Sequence, residues 1–230
     1  MNAVGDAASD EEILVGLVSR RFSCRGYRPD PVPRSIIERI AGIAQRTASW
    51  CNAQPWQMHI IGGGALERAR QEMPEHARVH EPTPDLDWPN AYEGIYLERR
   101  RECGLQLYAA TGVKRGDREA GGRQRLQNFR FFGAPHVAIV TTDRLLGIYG
   151  AIDCGAYVAN FMLAAQANGV ASIAQAALAA YPEFWRKRLS LGGDRLIVCG
   201  ISFGYEDSAH PANRFRTTRA STEDVLRWVD

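Results

Sequence analysis

The segment Gly150-Ala-Ile-Asp-Cys-Gly-Ala-Tyr-Val-Ala-Asn-Phe-Met-Leu-Ala-Ala-Gln-Ala167 belongs to an apolar stretch that predicts a helix over residues 148–168. Its glycines and alanines allow neighbouring elements to pack closely, so we expect this helix at the centre of the fold. Apolar runs around it predict strands at 56–61, 137–141 and 195–203. Further helices are predicted at 10–20, 33–47, 65–73, 92–111, 118–131, 182–189 and 222–229. Helices outnumber the three or four strands without a regular βαβ alternation, which indicates an α+β fold.

The composition limits the kind of protein this chain can be. Its 230 residues, with 45% hydrophobic and 23% charged side chains, are typical of a globular domain and exclude a disordered or fibrous chain. A net charge of +2 argues against nucleic-acid binding through a general basic field. We expect a flexible N-terminal arm, 1–10, and a single domain, 11–230. Within it, the Pro- and Asp-rich segment 74–90 reads as a surface excursion or lid.

Cysteine spacing and the N-terminus indicate the compartment. The five cysteines show no CxxC or zinc spacing, and the histidines do not pair at ligand spacing, so we expect no metal site. The first ten residues lack the basic start and apolar run of a signal peptide. No apolar stretch is predicted to reach the length of a membrane span. We therefore expect a cytoplasmic protein.

Arginines are unusually frequent, because Lys114 and Lys187 are the only lysines among 28 basic residues. A codon bias explains this composition, and so does the use of some arginines as rigid forks that grip anions. In an extended segment, Arg21, Ser23 and Arg25 point to one side, which suits a phosphate. A solvated basic strand is the alternative. A second basic run, Asn213-Arg-Phe-Arg-Thr-Thr-Arg219, lies near the C-terminus.

Two short motifs match known functional patterns only in part, so they give weak evidence for those functions. Gly200-Ile-Ser-Phe-Gly204 fits the G-x-S-x-G pattern of α/β-hydrolases, but a loop and not a helix follows it. A serine hydrolase that uses Ser202, with His210 near Asp207, therefore remains a minor alternative. The glycines at 62–64 lack the third glycine of a dinucleotide fingerprint and indicate an ordinary turn.

The order of several motifs resembles the FMN-dependent nitroreductase family over about residues 13–229. The motifs are RFSCRGY (21–27), NAQPW (52–56), GAPH (133–136), GVASIAQ (169–175), CGISFGY (199–205) and RTTR (216–219). The resemblance implies a mixed sheet flanked by helices and an intertwined homodimer. It also implies two FMN molecules in clefts between the subunits.

The resemblance also implies roles for individual residues. The phosphate and ribityl chain would be held by Arg21, Ser23, Arg25 and Arg219, with Arg216 as a neighbouring candidate; Phe22 lies between them in the cofactor-binding segment. The partner subunit would supply Ser49, Trp50, Asn52 and Gln54. The flavin ring would meet Ala174, Gln175 and Ala176, with Gln127 or Asn128 at its pyrimidine edge. Phe22 and Trp50 depart from the usual family pattern, and Trp50 would line the cleft or intrude on it. Candidates for substrate contact are Phe131, Phe132 and Tyr96, with a core position as the alternative for the phenylalanines.

In the family, the chemistry belongs to the flavin, so no catalytic side chain is expected. The implied activity passes electrons from NADH or NADPH through flavin N5 to a nitroaromatic or quinone by a ping-pong mechanism. Reductive dehalogenation is a sister activity that remains open, as does flavin binding without turnover. We expect a small aromatic acceptor and a second copy of the chain as partners, and neither nucleic acid nor membrane.

Overall fold

The computed structural model of the chain describes residues 8–230. Most of the predicted N-terminal arm, residues 1–7, therefore lies outside the described residues. The first helix begins at Asp10, as predicted, and Ser9 caps it. The Ser9 hydroxyl accepts a hydrogen bond from the Glu12 amide, and the Glu12 carboxylate accepts one from the Ser9 amide. This reciprocal capping box satisfies two backbone donors and fixes where α1 starts.

Within residues 8–230, seven α-helices and four strands form an α+β fold, as the sequence predicts. The helices are α1 Asp10–Arg20, α2 Arg34–Ala44, α3 Gly63–Val79, α4 Gly94–Thr111, α5 Arg118–Leu126, α6 Gly147–Ala167 and α7 Pro182–Leu189. The strands are β1 Gln57–Gly62, β2 His136–Asp143, β3 Ala171–Gln175 and β4 Arg195–Gly204.

The four strands form one sheet in the order β1-β2-β4-β3, and every adjacent pair is antiparallel. Among the described residues, the parallel component of the expected mixed sheet is limited to one isolated bridge, between Ser23 and Ser172. That bridge brings the segment after α1 alongside β3. The strand β3 itself was not singled out in the sequence, because its alanines and serines carry little strand preference.

Both faces of the sheet are covered, which explains why β2 reads as a continuous apolar run. Ala138 and Val140 face a layer that contains α2 and α6. Val137 and Ile139 face the opposite layer, which contains α3 and α7. The sheet thus lies at the middle of a three-layer core.

The helix α6 lies in the core, as its small residues predict. Its buried side chains include Cys154, Tyr157 and Phe161. The segment Arg144–Ala167 is, by length and composition, long and apolar enough to cross a membrane. The expectation that no stretch reaches that length is therefore wrong. Packing against the sheet accounts for the apolar side chains on one face of α6, whereas Ile148 and Ile152 are exposed.

Three predicted helix ends differ from the structure. Helix α2 ends at Ala44 and not near Thr47. Helix α3 runs through Pro74 to Val79, so residues 74–79 are not part of an irregular excursion. Met73 is buried, and the Tyr181 hydroxyl donates to the Ala77 carbonyl, so tertiary contacts hold the extension.

Helix α5 ends at Leu126 instead of continuing to Phe131. The chain then turns, and Phe131 and Phe132 adopt positive φ angles of 57° and 51°. These values lie outside the helical region, so the turn interrupts the pattern that suggested a longer helix.

The predicted closing helix over 222–229 is wrong. The structure has only a 3-10 turn there, Thr222–Asp224. The apolar side chains that suggested the helix, such as Leu226 and Trp228, are exposed. A helix this short does not persist in water without packing, which explains the difference.

Candidate functional site

Four arginines of the predicted set meet in one cavity of about 500 Å³, which we call the arginine cavity. The cavity is lined by Val18, Ser19, Arg21, Phe22, Ser23, Arg25, Cys103, Phe215, Arg216, Thr217 and Arg219. The two basic runs of the sequence, about 190 residues apart, thus form one site. Within the part of the chain that the structure describes, no carboxylate lines it.

Two contacts hold the segment of Arg21 to Arg25 in place. Ser23 bridges to Ser172 of β3, and the Cys24 amide donates to the Ser172 carbonyl at 3.2 Å. The buried Asn213 carboxamide accepts from the Arg25 amide at 2.8 Å and donates to the Gly26 carbonyl at 2.9 Å. Asn213 therefore joins the N-terminal and C-terminal basic runs.

Arg21 and Arg25 are partly buried, Arg216 and Arg219 are exposed, and the charge of Arg219 repels that of Arg21. Burial lowers the pKa of the Arg21 guanidinium, and the positive charge of Arg219 lowers it further. Burial also lowers the pKa of Arg25. A guanidinium stays protonated at neutral pH, so these shifts describe a positive charge that lacks water. A bound anion would relieve both costs.

Phe22 supports the cavity instead of weakening it. The Arg216 guanidinium lies 3.6 Å from the centroid of the Phe22 ring, within cation–π distance. Arg25 lies about 6 Å from the rings of Phe132 and Phe215. Aromatic rings thus orient the guanidinium groups without neutralising them.

Strand β3 leads from the arginine cavity to the predicted flavin segment. Gln175 is buried, whereas Ala174 and Ala176 on either side of it are exposed. The Gln175 amide donates to the backbone carbonyl and the side-chain oxygen of Asn128, at 3.1 and 3.3 Å. Its oxygen accepts from the Ser202 hydroxyl. The alternation leaves a small-residue surface against which a flat ring can lie.

A second cavity, of about 550 Å³, adjoins this segment, and we call it the aromatic pocket. It is lined by Pro82, Trp88, Gly122, Arg125, Leu126, Asn128, Phe129, Ala177, Ala180 and Tyr181. Its outer wall comes from the segment after α3. Asp85 pins that segment, because its carboxylate accepts from Arg186 at 2.6 Å and from the Ile197 amide at 2.8 Å. The excursion is thus anchored in the core.

The predicted partner residues do not reach the arginine cavity in the same chain. Ser49, Asn52 and Gln54 hydrogen-bond with one another in a loop before β1. The Trp50 amide of that loop donates to Asp153 on α6, whereas Gln166 of α6 borders a groove beside the arginine cavity. These α6 residues are 13 positions apart, or about 20 Å along a helix.

The substrate candidates take different positions. Phe131 is fully buried and Phe132 is 7% exposed, so both are core residues and the expected aromatic wall is wrong for them. Phe131 packs near Trp185, and Phe132 joins a small cluster with Cys24 and Ala134. Tyr96 is 68% exposed on α4 and lines neither cavity as described.

Ser202 has no exposed hydroxyl. It lies inside β4 with 0% exposure and donates to Gln175. The flanking glycines have a packing role: a Cβ at Gly200 would lie 2.4 Å from Leu178 Cδ1, and one at Gly204 would lie 2.5 Å from Pro135 Cδ. The G-x-S-x-G match therefore reflects close packing, without the exposed serine that a hydrolase requires.

Comparison with known proteins identifies the family. The model of the nitroreductase family matches residues 18–205. The chain belongs to the nitroreductase family. This confirms the assignment made from the sequence motifs.

Individual relatives extend over nearly the whole nitroreductase chain. Nitroreductase NfnB of Mycolicibacterium smegmatis is 32% identical, over 92% of this chain and 91% of its own length. A 4-nitrobenzoate reductase of Nocardioides sp. is 33% identical, over 95% of this chain and 89% of its own. The crystal structure of FMN-dependent NfnB from Mycobacterium smegmatis in complex with NADPH superposes with a TM-score of 0.91 at 31% identity, covering 96% of this chain and 100% of that one.

Some residues of the nitroreductase site escaped sequence reasoning. Cys103 lies on α4, far in sequence from the basic runs, and nothing in its surroundings marked it. Asn213 stands at the head of the second basic run, but its anchoring role depends on a contact 188 residues away. Nothing in the sequence distinguishes Arg125 from the other arginines of α5. Phe215 could have been predicted, because it is an aromatic residue adjacent to Arg216 in the basic run.

Proposed function

We propose that this nitroreductase is an FMN-dependent enzyme that uses NADH or NADPH to reduce nitroaromatic compounds. The single observation that carries the proposal is the arginine cavity, where four guanidinium groups meet without a carboxylate among the described residues. That donor set suits a phosphate monoester, which accepts bidentate, charge-assisted hydrogen bonds. Strand β3 leads from the cavity to an exposed small-residue surface, as a phosphorylated flat cofactor requires.

The chain's residues divide the work of holding FMN. Arg21, Arg25, Arg216 and Arg219 neutralise the phosphate, and Ser23 donates a hydroxyl. Ala174 and Ala176 offer backbone against the ring, and Gln175 keeps that backbone fixed through its bonds to Asn128 and Ser202. Bound FMN would supply the redox chemistry, the transfer of two electrons from NADH or NADPH to the acceptor.

The acceptor class follows from relatives and from the aromatic pocket. Two relatives at 30% or more are reductases of 4-nitrobenzoate, and another is a nitrobenzene nitroreductase. A pocket walled by Trp88, Phe129 and Tyr181 suits flat aromatic rings, quinones included. Donor and acceptor would use the same flavin face in turn, which corresponds to a ping-pong order.

We further propose that the functional unit is a homodimer. The loop of Ser49, Asn52 and Gln54 contacts Asp153 of α6, about 20 Å along that helix from Gln166 beside the arginine cavity, so these residues would serve the site of a second copy. Exposed apolar side chains surround that loop, with Trp50 at 59% and Ile148 at 70% exposure. Burying this surface between copies would stabilise the pair. A cytoplasmic location agrees with five free cysteine thiols.

The visible spectrum of the purified protein tests the proposal. We expect flavin absorbance that bleaches anaerobically on adding NADPH or NADH and returns on adding nitrobenzene. A protein that binds FMN but is not reduced within seconds would be a flavin carrier and would contradict the enzymatic proposal. A protein that does not bind FMN would contradict the proposal entirely.

A further inference from the structure

Arg125 is the charged residue in a pocket that is otherwise apolar or uncharged. The aromatic pocket is lined by Trp88, Phe129 and Tyr181, together with small and aliphatic side chains. Apart from Arg125, no lysine, arginine or carboxylate of the described chain lines it. Arg125 is itself exposed, so it lies at the rim of the pocket, where a ligand that covers the apolar walls would also meet the guanidinium.

The Arg125 guanidinium has no acidic partner among residues 8–230. Its neighbour on α5, Arg123, pairs with Glu119. Arg125 folds back over two glycines: its Nη1 lies 3.7 Å from the Cβ position of Gly121, and its Nη2 lies 3.8 Å from that of Gly122. Both distances are ordinary van der Waals contacts, so the guanidinium packs over the surface that the two glycines leave open.

The pocket lies next to the proposed reaction site. Asn128 lines the pocket and also accepts hydrogen bonds from Gln175. Ala177 of the pocket follows Ala176, whose backbone is proposed to face the flavin ring. A ring bound in the pocket would thus lie near the flavin, with Arg125 at the pocket wall.

We propose that Arg125 is a specificity-determining residue that binds an anionic substituent, such as a carboxylate, on a flat aromatic acceptor. This inference rests on the proposed function and adds the substrate class of the site. The guanidinium provides the fork that a carboxylate accepts in bidentate fashion, and the aromatic walls cover the ring. The arginine run at 99–101 is not part of this site, because Arg99 lines a different groove and Arg100 lies over Tyr92.

The test compares two acceptors of similar shape that differ in charge, 4-nitrobenzoate and nitrobenzene. In Arg125→Gln, we expect the ratio of kcat/KM for 4-nitrobenzoate to kcat/KM for nitrobenzene to fall about tenfold or more, the size of a lost charge-assisted hydrogen bond. Arg125→Lys keeps the charge and should recover part of the ratio. The matched control Arg99→Gln removes the same charge elsewhere and should leave the ratio as in the wild type.

The electron donor provides a second comparison, because Arg125 could instead bind the 2′-phosphate of NADPH, which NADH lacks. With nitrobenzene as acceptor, the NADPH-to-NADH ratio of kcat/KM should be the same in Arg125→Gln and in the wild type. A fall in that ratio with no change in the acceptor ratio would overturn the inference, as would an unchanged acceptor ratio in a well-folded variant. Failure of the wild type to reduce nitrobenzene at all would instead contradict the proposed function.

Discussion

The arginine cavity can be predicted from the sequence, whereas the aromatic pocket cannot. The arginine cavity draws on two short segments in which one residue type repeats, with Arg21 and Arg25 in the first and Arg216 and Arg219 in the second. The aromatic pocket takes its walls from three separate segments, whose aromatic residues read like any core residue. Like charges that are held together without a carboxylate between them repel one another, so such a cluster indicates an anion-binding site. Apolar residues in a sequence do not show whether they line a pocket or belong to the core.

The largest expected effect concerns the anchor of the aromatic pocket. Asp85 and Arg186 form an ion pair whose side chains are 8% and 11% exposed. Arg186 keeps its ion pair with Glu183 at 2.7 Å. Losing the Asp85 carboxylate nevertheless removes charge-assisted hydrogen bonds to Arg186 and the Ile197 amide, at a cost of about 3 kcal/mol. Asp85→Asn should therefore lower the free energy of unfolding, measured with urea, by about that amount.

The same variant separates the two cavities. Asp85→Asn should raise the KM for aromatic acceptors by loosening the segment of Trp88, while FMN affinity stays close to that of the wild type. Asp87→Asn, an exposed change two residues away, serves as the control. Equal losses of FMN affinity and acceptor binding would show that the two cavities are not independent.

The next effect concerns the arginine cavity. Arg21→Ala and Arg219→Ala should each weaken FMN binding by about 10- to 100-fold, because each removes a charged hydrogen-bond donor worth about 1.5–3 kcal/mol. Fluorescence titration of FMN into flavin-free protein measures this. Arg39→Ala, on the exposed face of α2, should leave the affinity unchanged. Wild-type affinity in both cavity variants would rule out the proposed role of these arginines.

A smaller effect concerns the support beneath the aromatic pocket. In Gly200→Ala, the new Cβ would meet Leu178 at 2.4 Å, in the 3-10 turn Ala176–Ala180 that carries the pocket floor. Overpacking of this kind costs about 1–3 kcal/mol, so the thermal midpoint should fall. Gly193→Ala, where nothing lies within 4 Å, is the matched control. Equal midpoints for the two variants would contradict the close-packing explanation of the G-x-S-x-G match.

The smallest effect concerns the hydrogen bond between His136 and the backbone at Val32. His136 Nε2 accepts a hydrogen bond from the Val32 amide at 3.0 Å, which requires an unprotonated nitrogen. Burial lowers the pKa of His136 below its ordinary value of 6.5. The folded state therefore favours the neutral ring, so the stabilisation is complete above about pH 6.5 and is lost as the pH falls below it.

Urea unfolding at pH 7.5 and pH 5.5 measures this dependence. Because burial also lowers the pKa of His59 and His76, the wild-type slope contains several contributions. His136→Gln should reduce the slope relative to the wild type. An identical slope would show that His136 does not contribute.

The sequence predicts those parts of the fold whose stability is local or strongly patterned. The bounds of α1 and α7 match the expected ones, α6 differs by one residue at each end, and β4 differs by one residue at its C-terminal end. The misplaced elements depend on tertiary contacts. Helix α3 continues through Pro74 because Met73 and Ala77 are held by the core, and the C-terminal segment has no such support.

In the candidate site, too, the features that are local in sequence could be predicted and those that depend on tertiary contacts could not. The convergence of Arg21, Arg25, Arg216 and Arg219 was predictable, because their charges and alternate spacing are local properties. Arg125 was not, because its significance comes from what surrounds it in space. Its neighbours in the sequence are other polar residues of α5, and the apolar walls come from elsewhere.

The central claim is that the arginine cavity binds the phosphate of FMN. Titration calorimetry with FMN and with riboflavin, which lacks the phosphate, tests it most directly. We expect the wild-type protein to bind FMN about 100-fold more tightly than riboflavin, and the Arg21→Ala/Arg219→Ala double variant to lose most of that difference. Equal affinities of the wild-type protein for FMN and riboflavin would contradict the claim.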